Sequence, residues 1–238
     1  MAIRFMVDLT SEMAQLWASL RAPPKGQGRA IQFVAARGGE GTSTVAREFA
    51  RYAVNHVRGA VWLVDLDLMH SPQNDAIAAQ SGRYGQLGRQ TAASPDGSTF
   101  FTVRPAARGA DGRPAGDAQF LIAYPVGGPR LWVTRFRREL LQARQSVHVL
   151  SKGDYWNALR RRVDLIVVDS PAAERSRAGL TVAPFMDFSV LVVAADQGDA
   201  AAPAALKDSI IAAGGRCAGL VFNRASARAP AFLRKIMS

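Results

Sequence analysis

Three short stretches carry residues whose types and spacing suit phosphate chemistry. The first is Arg37-Gly38-Gly39-Glu40-Gly41-Thr42-Ser43-Thr44. Glycines let backbone N–H groups curl around an anion at a helix N-terminus, where the helix dipole favours negative charge. All eight residues are candidate nucleotide-binding positions, and Ser43 stands where a hydroxyl would ligate Mg²⁺. Such loops usually open on glycine and carry lysine after the last glycine; here those positions hold Ala36 and Thr42. The second stretch, Trp62-Leu63-Val64-Asp65-Leu66-Asp67, ends an apolar run with two carboxylates two residues apart. Such a pair can polarise a water or a hydroxyl, or hold a metal, so Asp65 and Asp67 are the catalytic candidates. The third, Leu165-Ile166-Val167-Val168-Asp169-Ser170-Pro171, places another carboxylate after an apolar run. With Ser43 and Asp65, Asp169 completes the candidate Mg²⁺ set.

These stretches need elements that bring them to one edge. A strand at 31–36, the glycine turn, a helix at 42–57 and a strand at 60–65 read as β–loop–α–β, the unit of a parallel sheet. From residue 152 the pattern is regular again: a helix at 155–162, a strand at 163–169 and a short helix to Ala183. A strand at 188–195, a helix at 201–213 and a strand at 218–222 follow. The strands are near-continuous apolar runs, as expected for strands covered by helices on both faces. The fold class expected is α/β: a doubly wound, mostly parallel sheet flanked by helices, in which strand ends line a ligand crevice.

Ahead of this unit, residues 9–21 predict an N-terminal helix capped by Thr10 or Ser11 and ended by Pro23-Pro24. Residues of about 81–118 are rich in Gly, Ala, Pro, Ser and Arg. They read as a partly flexible insertion holding a short strand at 100–103. Short strands at 119–124 and 131–134 follow, and then a basic helix at 135–145. The whole is expected to form one domain over 1–238.

Composition narrows the setting. One cysteine, Cys217, allows no internal disulfide, which fits a reducing compartment; it reads as a small buried hydrophobe. The N-terminus lacks a signal-peptide pattern, and no apolar run approaches the ~20 residues a membrane helix needs. A net charge of +11 draws acidic partners in general and selects none.

Taken in order, the motifs resemble the deviant P-loop superfamily of the MinD and ParA ATPases. They are more similar still to the cytoplasmic domain of the bacterial tyrosine kinases of exopolysaccharide export. The resemblance spans roughly 8–80 and 150–225. The kinase loop reads Gly-Glu-Gly-Lys-Ser, matched by 39–43 except at Thr42. Their Asp-x-Asp motif is matched by Asp65 and Asp67, and their Asp-Ser/Thr-Pro by Asp169-Ser170-Pro171. The resemblance implies that Asn223 contacts a nucleotide base and that Arg37 occupies the place of the signature lysine of the MinD and ParA group. Four departures stand out. Thr42 replaces the loop lysine. The last tyrosine is Tyr155, so the tail has no tyrosine cluster. Gln15 follows Glu12 where an oligomerisation arginine is expected, and Met69 and His70 stand where another arginine usually follows Asp-x-Asp.

The resemblance therefore implies ATP or ADP with Mg²⁺ as ligands, bound more weakly because of Thr42. It implies a pseudokinase-like or weakly active regulator or scaffold of an exopolysaccharide export complex, cytoplasmic and peripheral at the inner membrane. Its partner would be a polysaccharide co-polymerase-like protein, and it could form homo-oligomers. The alternative is an active MinD/ParA-like ATPase that switches dimer state on DNA or membrane, with nucleic acid the less favoured partner. A third reading is an autokinase acting on another tyrosine, such as Tyr84.

Overall fold

The computed structural model describes residues 9–20, 27–106, 116–196 and 200–224. Along the chain run α1 (Thr10–Ser19), β1 (Arg29–Val34), α2 (Thr42–Ala53), β2 (Val61–Asp65), α3 (Pro72–Ala79) and α4 (Ser81–Tyr84). Then come β3 (Thr91–Ala92), β4 (Phe101–Arg104), β5 (Leu121–Pro125), β6 (Leu131–Phe136), β7 (Ser146–Val149) and α5 (Asp154–Arg160). The last five are β8 (Leu165–Asp169), α6 (Ala178–Val182), β9 (Phe188–Ala194), α7 (Ala201–Ala212) and β10 (Cys217–Asn223).

Eight strands form one sheet in the order β10-β9-β1-β8-β2-β6-β5-β3. From β10 to β6 every neighbouring pair is parallel; β5 and β3 add an antiparallel margin. The fold is thus α/β, with a mostly parallel sheet between helices. The register places the site. β8 lies between β1 and β2, with Phe33 opposite Asp169 and Asp65 opposite Asp169. The chain leaves β1, skips the β8 position to form β2, and returns later to fill the gap. The carboxylates that close β2 and β8 therefore sit side by side, next to the loop that leaves β1.

On one face α2 buries Val45, Ala46, Phe49, Ala50 and Ala53 against Phe33, Leu63 and Val167, and α1 covers α2 through Met13 and Trp17. No side chain caps α1, and Ser11 Oγ donates to Glu12 instead of capping. On the other face an aromatic cluster of Phe100, Phe101, Phe120, Phe136, Tyr155 and Trp156 fills the core. Trp156 stacks on Phe100 at 5.1 Å, and Phe136 on Phe120 at 5.7 Å. Four of these six rings come from the 81–136 stretch, so its described part is tied to the sheet by burial of large apolar surface. Residues 107–115 of the expected insertion lie outside the described residues. Trp62 and Trp132 stack on each other at 5.7 Å.

The basic helix expected at 135–145 is not there. Arg135 and Phe136 close β6, residues 138–140 form one 3₁₀ turn, and β7 pairs antiparallel with β4 in a separate two-stranded sheet. Burial of Phe136 among the rings fixes the strand. The Arg135–Glu139 pair, 2.9 Å apart, spans four residues without a helix. Cys217 is half-buried at the outer edge of the sheet rather than in the core.

Tyr84 is not offered as a phosphate acceptor. It is buried, and its hydroxyl donates to Glu48 Oε1 at 2.6 Å. Glu48 is also held by Arg51 and Arg83, each at 2.9 Å, and the Arg47 guanidinium lies over the Tyr84 ring. Burial pushes the Glu48 carboxyl up, but the bonds from Arg83, Tyr84 and Arg51 outweigh it and leave it below the ordinary range. Removing one donor from a buried carboxylate is costly. Tyr84→Phe is expected to lower unfolding free energy by about 1–2 kcal/mol, read from urea midpoints. An unchanged midpoint would mean that this bond is not formed.

Candidate functional site

The loop between β1 and α2 is shaped by two left-handed glycines. Gly39 has φ 80° and Gly41 φ 89°. Gly41 is doubly constrained, because a Cβ there would lie 1.9 Å from the Asn223 amide. The loop is braced from behind. Glu40 is buried, and its carboxylate accepts the Arg37 N–H at 2.9 Å. Asn223 Nδ2 donates to the Glu40 carbonyl at 2.9 Å, and Arg224 Nη2 to the Gly39 carbonyl at 2.6 Å. The predicted residue Asn223 thus reaches the loop, but its amide is used on loop backbone.

Beside the loop, Asp65 and Asp169 are both buried. Asp65 accepts the backbone N–H of Asp67 at 2.9 Å and of Gln73 at 3.0 Å. Gln73, fully buried, connects everything. Its amide donates to Asp169 Oδ2 at 2.6 Å and to the Ser43 carbonyl at 2.8 Å, and its oxygen accepts from Arg47 Nη1 at 2.8 Å. Asp169 Oδ1, also buried, has no hydrogen-bond partner. A buried carboxylate oxygen left open is expensive unless a cation or its water completes it. Burial, above all, lifts Asp169 to about 6, against the pull of Ser43, Gln73 and Arg47. Burial and then the Asp169 charge lift Asp65 well above the ordinary range.

A pocket of about 370 Å³ opens over this floor. Its walls are the loop from Arg37 to Thr44, together with Asp67, His70, Asp169 and Arg175. Of the sequence-predicted residues, the eight loop positions, Asp67 and Asp169 share this pocket. Asp65 lies beneath it and Asn223 behind the loop. Asp67 is paired with Arg175 and with His70 Nδ1, the latter at 2.8 Å. The Gly38 N–H donates to Glu174 Oε1 at 2.6 Å.

Sequence reasoning missed Gln73, Arg47, Glu174 and Arg175. Arg47 left one signal: a charged residue on α2 one turn beyond Ser43. Among the described residues no group of three or more His, Cys, Asp or Glu is placed to hold a metal. A hydroxyl, two carboxylates and open space for phosphate and water are nevertheless the donor set that suits Mg²⁺, which keeps several waters and shares phosphate oxygens.

The same architecture is found in solved structures. The chimerical protein CapA2B2 superposes with a TM-score of 0.56 at 15% identity, over 94% of this chain and 88% of that one. The kinase domain of VpsO gives 0.50 at 17% identity, over 92% of this chain and all of the other. A nucleotide-binding protein from Archaeoglobus fulgidus, in complex with ADP, gives 0.48 at 13% identity over 96% and 83%. For the first two, at these identities, the likeness is one of fold. No protein-family model matches the sequence, and comparison with curated proteins gives no match.

No helix among the described residues is long and apolar enough to cross a membrane.

Proposed function

We propose that this chain is a P-loop protein that binds Mg-nucleotide weakly and acts as a regulator or scaffold, not as a phosphotransferase, in exopolysaccharide export. One observation carries the reading. The carboxylates of Asp65 and Asp169 are paired under a glycine loop whose cation position holds Thr42. The frame for phosphate and Mg²⁺ is kept, and the loop itself carries no charge at the position from which a lysine stabilises phosphoryl transfer. Bound Mg²⁺ would neutralise phosphate charge, with Ser43, Asp65 and Asp169 as its protein-side ligands or water acceptors. The loop N–H groups would orient the phosphates.

The fold shared with the VpsO kinase domain, and the motif resemblance to the exopolysaccharide tyrosine kinases, support the setting. The non-catalytic reading draws on two of the four tyrosines, Tyr84 and Tyr155, which are buried. The scaffold role would be exercised on a membrane co-polymerase-like partner through a docking surface separate from phosphate chemistry.

The test is incubation of pure protein with Mg-ATP, followed by phosphotyrosine detection, and co-purification from solubilised membranes of the host. The expected result is no phosphotyrosine and recovery of a polysaccharide-export protein with the chain. A phosphotyrosine signal that disappears in Asp67→Asn would overturn the non-catalytic reading.

A further inference from the structure

We infer that Arg175 is a phosphate-binding residue of this pocket, supplying from the opposite wall the cation that the loop lacks at Thr42. This rests on the pocket being a nucleotide-phosphate site. Four observations meet in the segment after β8.

The segment is laced to the loop. Ala173 N–H donates to the Ala35 carbonyl at 2.9 Å and Glu174 N–H to the Ala36 carbonyl at 3.2 Å. A tight turn, with Arg175 N–H on the Ala172 carbonyl at 2.9 Å, then directs Arg175 to the pocket wall.

The guanidinium sits on the metal side of the pocket. It is held by Asp67, whose backbone N–H is itself bonded to Asp65. In a P-loop the lysine reaches the outer phosphates, beside the Mg²⁺ hydroxyl. Arg175 approaches that region from the strand-end carboxylates. Arg37 belongs to the start of the loop.

An anion already lies on the loop. The Glu174 carboxylate accepts the Gly38 N–H at 2.6 Å, so the amide cradle is formed and holds negative charge from the residue next to Arg175. An incoming phosphate competes with Glu174 for that amide. It also competes with Asp67 for Arg175.

The electrostatic balance favours a second cation. Asp67, Asp169 and Glu174 would oppose a nucleotide's phosphates, Thr42 offers no charge against them, and beside Arg37 at the start of the loop the arginine on the pocket wall is Arg175. The Arg175 side chain is 55% exposed and held by one carboxylate, so it can turn from Asp67 to phosphate while His70 remains on Asp67. A guanidinium can grip phosphate oxygens with two parallel bonds, which suits the exchange.

The test is Mg-ADP affinity by calorimetry for wild type, Arg175→Gln, Thr42→Lys and the double variant, each checked for a single cooperative urea transition. Arg175→Gln is expected to weaken binding about tenfold, the loss of one charge-assisted contact. In the Thr42→Lys background the same change should weaken it by less than about threefold, because both cations serve the same phosphates. Equal affinities of wild type and Arg175→Gln would overturn the inference. So would a tenfold loss in both backgrounds, or a silent wild type beside a Thr42→Lys that binds; each leaves the nucleotide pocket standing. Silence from both wild type and Thr42→Lys would remove the nucleotide reading itself, and the inference with it.

Discussion

Thr42→Lys is expected to tighten Mg-ADP binding between ten- and a hundredfold, read as a ratio of dissociation constants by competition with a fluorescent ADP analogue. Thr42 is the first residue of α2, directly after the left-handed Gly41, and it lies on the pocket wall. A lysine there would enter between the loop amides and Asp169 without altering backbone that glycine already permits. Its ammonium gains a charge-assisted contact with phosphate, worth about 1.5–3 kcal/mol, or one to two decades in affinity. The same ammonium faces Asp169, so part of the gain is present before nucleotide arrives, through relief of that buried charge. An unchanged or weaker affinity would mean that the loop does not address phosphate with the geometry of its motif.

The second large effect is on stability against pH. Both strand-end carboxylates have folded-state values raised above the unfolded ones: Asp169 goes from 3.8 to about 6, and Asp65 moves in the same direction. A raised acid contributes stability that is fully present below its unfolded value and is lost as pH rises through its folded value. The pair therefore makes the nucleotide-free protein more stable near pH 5 than near pH 7.5. From Asp169 alone the difference is on the order of 1 kcal/mol, since most of its proton is given up in that interval. Asp65 adds to it, and because the two face each other across β2 and β8 they titrate as a pair. Asp169→Asn should remove Asp169's own part of this slope, lessen that of Asp65, and be more stable than wild type at pH 7.5, because it replaces a buried charge with a neutral amide of the same shape. The measurement is the urea midpoint of both proteins at the two pH values. Parallel slopes would contradict the burial and pairing described here. Groups whose values are lowered, such as Glu48, act with the opposite sign in both proteins and cancel in the comparison.

The three chemical stretches were legible because each is a local pattern, an apolar run closed by glycine or aspartate. A parallel sheet then places the ends of such runs at one edge. What the chain does not spell out locally is which side chains meet behind that edge. Gln73 bonds Asp169 because β8 is inserted between β1 and β2, a long-range pairing with no local mark. The same holds for Glu174, which finds Gly38 only after the segment beyond β8 is laced to the loop. The basic stretch at 135–145 misled for a physical reason. Its arginines and the Arg135–Glu139 spacing fit a helix, whereas burial of Phe136 in the ring cluster decides for a strand. Tertiary burial outweighed a weak local preference.

The measurement closest to the central claim is a calorimetric titration of the wild-type chain with Mg-ADP at neutral pH. A phosphate site that kept its frame and lost its lysine predicts saturable one-to-one binding that disappears without Mg²⁺ and strengthens in Thr42→Lys. No saturable heat from either protein would contradict it, and the glycine loop would then be only the turn that starts α2.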